Sequence, residues 1–203
     1  MLRKILLGVG PWVVFSLVLR FGTMELINVA WIVFFVLHTY FGRHYLKAGN
    51  PLSWVSSLLF LILFANGIFG WSYWALQYGA QICYGVFAIT ALVTVMVNKP
   101  FTLTHSKLVT PQEFWGHPIF LKTNQHVSLF WAASFALNGV VMMFEVYYPW
   151  ASLITTYLVL TSAIVFSDLY PIRVREKAMA MRAKMEAEAQ QQAKMKASAQ
   201  SVA

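Results

Sequence analysis

The chain has 203 residues; 59% are hydrophobic, 16% aromatic and only 11% charged, with a net charge of +8. A soluble globule of this length has too little interior for so much apolar surface, and disordered or collagen-like chains are excluded by the same composition. A single cysteine, Cys83, rules out a disulfide framework and a Cys-based zinc site. What remains is an all-α, polytopic membrane helix bundle.

A bilayer core takes about 20 apolar residues per helix, and six spans follow in order: 5–20, 24–41, 52–69, 74–97, 125–144 and 151–168. The first begins after Met1-Leu2-Arg3-Lys4. It reads as a retained helix rather than a cleaved signal, because Trp12, Phe15, Leu17 and Leu19 carry it to spanning length. Pro11, after Gly8 and Gly10, kinks it. Gly42 to Pro51 is a turn in which Asn50 caps the third helix, with Pro51 at its first position. Asn66 to Tyr73 reads as a short turn with interfacial aromatics.

The stretch 98–123 is a cytoplasmic hairpin that lies on or re-enters the membrane. Thr110-Pro111-Gln112-Glu113 has the form of a capping box, so a short interfacial helix is expected to follow and to end at Gly116-His117-Pro118. Phe114, Trp115, His117 and Phe120 are the candidate partner surface. The simpler reading, an aromatic anchor at the headgroups, is the favoured one.

After the sixth span Pro171 breaks the helix, and 171–203 forms a basic, Ala/Met/Lys-rich cytoplasmic tail. Val174, Ala178, Met181 and Met185 make one weakly apolar stripe, while Arg173, Arg175, Lys177, Arg182 and Lys184 are candidates for lipid headgroups. The tail is expected to be a partly formed helix near the membrane surface, with its last ten residues disordered.

Charge sets the orientation. With six spans and both termini in the cytoplasm, every Lys and Arg except Arg20 falls inside, as the positive-inside rule requires. An odd number of spans would place much of that charge outside.

Motifs for chemistry are sparse. Glu25, Glu145 and Asp168 sit at span ends, so the mid-membrane acid of a proton-driven carrier is missing. His38 and His126 are the histidines associated with spans; a facing pair would be needed for haem or metal. There is no nucleophile motif or phosphate-binding glycine loop, and Cys83 in an apolar span is inert. No catalytic residue, metal site or cofactor is expected. Asn66, Gln77, Gln81 and Asn138 are the amides that either glue helices together or line a path through the bundle. Gln77 and Gln81 are one helical turn apart and would share a face with Gly85.

Several markers together resemble a known family. They are the kinked first span, the Val97-Asn98-Lys99-Pro100 step, the aromatic segment around Trp115, and the run Trp131, Phe135, Asn138 in the fifth span. Over roughly residues 5–170 the chain resembles the intracellular septation protein A family of bacterial inner-membrane proteins. The resemblance implies a cytoplasmic-membrane protein concerned with envelope upkeep or division, acting through contacts with other membrane proteins. It implies no catalytic residues. The expected function is therefore a non-enzymatic scaffold or accessory subunit, with a small solute carrier or lipid-handling protein as the alternative. The expected partners are anionic lipid headgroups and other membrane proteins, with homo-oligomers compatible and nucleic acid excluded.

Overall fold

The computed structural model describes Val18 and residues 22–200, and all its regular structure is helical among those residues. The expected first span, 5–20, lies outside the described residues apart from Val18. The elements are α1 (Met24–Phe41), α2 (Arg43–Lys47), α3 (Pro51–Phe69), α4 (Tyr73–Gln77), α5 (Gly79–Met96), α6 (Thr102–Val109), a 3₁₀ turn (Gln112–Phe114), α7 (Pro118–Met143) and α8 (Pro149–Gln200). Among the described residues, four helices are long and apolar enough to cross a membrane: α3, α5, α7 and the stretch Pro149–Gln190 of α8. The apolar part of α1, Glu25–Phe41, is shorter.

Local chemistry explains most boundaries. Thr23 accepts the Leu26 N–H at the start of α1, and Gly42 closes that helix. Asn50 accepts the Ser53 N–H at 3.1 Å with Pro51 behind it, as the sequence indicates. Gly70 ends α3 in the left-handed region, φ 63°, where a side chain would be strained. Ser72 then caps α4 by accepting from Ala75 N–H.

Several expectations need correction. The expected fourth span, 74–97, is interrupted at Tyr78, which separates α4 from α5. Gln77 and Gln81 therefore do not lie on one continuous helix. The Thr110 capping box does not form: Thr110 is the extended residue after α6, and only a single 3₁₀ turn follows Pro111. Gly116-His117-Pro118 starts a helix instead of ending one. His117 Nδ1 accepts the Ile119 N–H, and Pro118 takes the first helical position, where its missing N–H leaves nothing unpaired. The helix α6 occupies the first part of the stretch read as a surface-lying or re-entrant hairpin, where no helix was expected before Thr110.

Pro171 does not break α8. A helix-internal proline forfeits one backbone hydrogen bond and disturbs the preceding turn. The Ala, Met, Lys, Glu and Gln that follow are strong helix formers, and the helix continues through them to Gln200, into the part expected to be disordered.

The described chain divides into two units, Met1–Val165 and Phe166–Ala203. In the first, α5 and α7 pair most extensively, and α3 packs against both α1 and α5. Trp31, Phe60, Leu63, Cys83, Phe87, Ala88 and Phe135 form the main buried cluster. Phe60 is fully buried, with ring contacts to Trp31 at 6.0 Å, Phe34 at 5.8 Å and Phe87 at 6.4 Å. A small residue lets α1 approach α3: a Cβ on Gly67 would run into the Asn28 amide, which donates to the Gly67 carbonyl at 3.2 Å. In the second unit the described side chains of α8 are largely exposed, and Arg182–Glu186 and Lys184–Glu188 pair one turn apart.

Candidate functional site

Two features of the first unit organise its polar chemistry. One is a collar of hydrogen bonds around the N-terminal half of α7; the other is a cavity among α1, α3, α5, α7 and α8.

The collar begins where α5 ends. The Thr94 hydroxyl donates to Ala91 carbonyl at 2.8 Å and accepts the Phe101 N–H at 3.2 Å. Asn50 caps α3 with its oxygen and donates from its nitrogen to Phe101 carbonyl at 2.9 Å. Thr102 reaches Asn124 carbonyl at 3.0 Å and the Ser128 hydroxyl at 2.9 Å. Ser106 donates to Asn124 Oδ1 at 2.6 Å, and Asn124 Nδ2 donates to Phe120 carbonyl at 2.9 Å. The result pins α6 to α7 and holds α3 beside both. Tyr45 extends the collar to α2, its hydroxyl 2.7 Å from His105 Nδ1. Partial burial raises the Tyr45 phenol above its ordinary value.

The expected partner surface sits beyond this collar. Phe114 is exposed. Trp115 is half-buried, its Nε1–H donates to Thr110 carbonyl at 3.0 Å, and the Lys107 ammonium lies 5.0 Å from its ring centre. His117 is the α7 cap and Phe120 is half-buried. The four residues thus divide between one exposed aromatic and three with structural contacts.

The amides divide as well. Asn66 does not line a path: its nitrogen donates to Ser72 carbonyl at 2.9 Å and its oxygen accepts Ser72 N–H at 2.8 Å, locking the turn between α3 and α4. Gln77 is exposed near the end of α4. Gln81 donates to Met142 carbonyl at 3.1 Å and ties α5 to the end of α7. Asn138 is wholly buried, and neither polar atom of its amide makes a hydrogen bond in the structure. Arg173, Arg175, Lys177, Arg182 and Lys184 are exposed on α8.

The cavity is partly open and has a volume of about 220 Å³. Its polar members are few: His38 from the last turn of α1, Ser53 and Ser56 from the first turns of α3, and Tyr84 from α5. Phe87, Trp131, Phe135 and Leu160 supply much of the apolar wall. His38 Nε2–H donates to Ser53 carbonyl at 3.2 Å, and its ring meets Phe60 edge-on at 5.7 Å. Ser56 donates back to Leu52 carbonyl at 2.7 Å. His126 is exposed and is not part of this wall, so the cavity does not join the two histidines. Among the described residues, no three His, Cys, Asp or Glu side chains gather in a cluster.

Neither the collar nor the cavity was predictable from motifs. The collar draws on Thr, Ser and Asn residues far apart in sequence, and the cavity draws on five helices. No family model, curated protein or solved structure matches the chain.

Proposed function

We propose that the chain is a six-span, non-enzymatic membrane protein that acts as a scaffold or accessory subunit. The observation that carries this reading is the use made of the bundle's polar side chains. Asn50, Asn66, Gln81 and Asn124 all bind the protein's own backbone. A solute carrier needs such groups turned toward a path; here they fix helix ends and crossings. The outer faces of the spanning helices carry large exposed apolar side chains, such as Trp54, Leu58, Ile154 and Leu158, suited to lipid or to neighbouring helices. Phe114 and the basic face of α8 are the contacts offered outside the membrane.

A bacterial inner-membrane location with both termini cytoplasmic, and a part in envelope upkeep or division, rest on the Lys and Arg distribution and on the sequence markers around Lys99-Pro100 and Trp131. The lipid-handling alternative is favoured by one observation, the apolar cavity.

The test is gentle solubilisation of the tagged chain from its native membrane, followed by mass spectrometry of what remains bound. Phe101 and Thr102 are structural, so deleting the whole 101–123 stretch is uninformative. The useful variants are Phe114→Ser and truncation after Pro171. Reproducible membrane-protein partners lost in one of these variants are the expected outcome. A chain that always runs alone at monomer mass overturns the scaffold reading.

A further inference from the structure

We propose that the cavity among α1, α3, α5, α7 and α8 binds a neutral lipid bearing a hydroxyl group, with the hydroxyl donating to His38 and the hydrocarbon lying against Phe87, Trp131, Phe135 and Leu160. This rests on the membrane reading above and adds a ligand to it.

The size sets the first limit. The cavity's 220 Å³ exceeds the roughly 150 Å³ at which a dry apolar cavity takes up benzene. It falls below the roughly 300 Å³ of ordinary whole-ligand pockets. One hydrocarbon chain or one ring fits; a diacyl lipid does not. Water is a poor filling for the apolar part of the cavity, because a stable buried water needs two to four polar partners and Leu52, Phe87, Phe135, Leu160 and Ile164 offer none.

The head must be uncharged. Among the described residues, no Asp, Glu, Lys or Arg lies in the wall, and an unpaired charge buried among aromatic rings is strongly disfavoured. The hydrogen-bonding sense then selects the group. His38 Nε2 carries its proton to the Ser53 carbonyl, so Nδ1 of the neutral imidazole is an acceptor. Among the described residues, no hydrogen bond to Nδ1 or to the Ser53 hydroxyl occurs. An alcohol can donate to Nδ1 and accept from Ser53 Oγ. An ether or ester can only accept, and leaves Nδ1 unmatched. Position agrees with this: His38 ends α1 and Ser53 begins α3, so the two groups that would meet the hydroxyl lie at helix ends, as an amphiphile's head does in a bilayer.

The test uses the full chain in lipid nanodiscs with a long-chain fatty alcohol carrying a mid-chain diazirine, beside its matched methyl ether. The expected result is saturable labelling of peptides containing Trp131, Phe135 or Leu160, about fivefold weaker for the ether, the factor for one lost hydrogen bond. Leu160→Trp, which fills the cavity, should abolish that labelling while leaving labelling at outward-facing Ile154. The alcohol–ether comparison needs no variant, so a misfolded Leu160→Trp does not blunt it. Equal labelling by alcohol and ether overturns the proposal, as does labelling confined to Ile154 and Leu158. Capture of residues 5–20, in place of lipid, by a photoreactive side chain at position 160 also overturns it. Release of the chain from membranes by alkaline carbonate would instead sink the membrane reading itself.

Discussion

The collar around α6 and the middle of the bundle treat polar side chains in opposite ways. At the collar Asn50, Thr94, Thr102 and Asn124 each donate to a backbone carbonyl: that of Phe101 at the start of α6, and those of Ala91, Asn124 and Phe120 inside helices. Deeper along α7, Asn138 is wholly buried and its amide makes no hydrogen bond among the described residues. The contrast teaches that polar residues in so apolar a chain find partners where a short helix or a loop meets a long helix, as Thr102 and Ser106 of α6 meet Asn124 and Ser128 of α7. A helical carbonyl keeps a second lone pair that a side chain can use, as Phe120 and Asn124 show, whereas the Asn138 amide makes no such bond.

The largest effect should come from the aromatic region. Phe60→Ala removes the ring at the centre of the core, and a loss of about 3–5 kcal/mol is expected, read from unfolding in mixed micelles. Next is the collar. Asn50→Ala removes both the α3 cap and the bond to Phe101, with an expected loss of about 1–3 kcal/mol. If Asn50→Ala proved harmless, the collar would be ornament and the comparison would fail. Asn138→Leu sharpens the contrast by its opposite sign. It exchanges an unpaired buried amide for an apolar side chain of similar size, so stability should rise by about 1 kcal/mol. A substantial loss would mean that Asn138 has a partner in the membrane.

The smallest effect concerns pH. Tyr45 is raised from its ordinary 10.0 by burial. The fold therefore favours the protonated phenol. That contribution is complete below pH 10 and disappears as pH rises through the higher folded value. An ultraviolet titration of the wild type against Tyr45→Phe should show one phenol ionising later than an exposed tyrosine. Ionisation at the ordinary value would place Tyr45 in open water.

Much of the scaffold was legible in the residues. Asn50-Pro51 announced the start of α3, and the expected second and third spans coincide closely with α1 and α3. The stretch 98–123 was misread for a physical reason. Pro118 marks a helix start as readily as a helix end, and Thr102–Val109 has too weak an apolar pattern to signal a helix without the α7 surface it packs on. Pro171 misled likewise, since a proline's local penalty was weighed without the long helix-forming stretch beyond it.

The sequence by itself determined which stretches are long and apolar enough to cross a membrane. Composition and the length of the apolar runs decide that, because apolar character adds up along the chain and needs no knowledge of partners. Only the tertiary structure decided what the polar residues do. Whether an amide caps a turn, as Asn66 does, ties two helices, as Gln81 does, or stays unpaired, as Asn138 does, depends on which atom lies within 3 Å of it. The same holds for His38. Its spacing in sequence says nothing of the Ser53 carbonyl or of the cavity beside it, both of which exist because separate helices meet there.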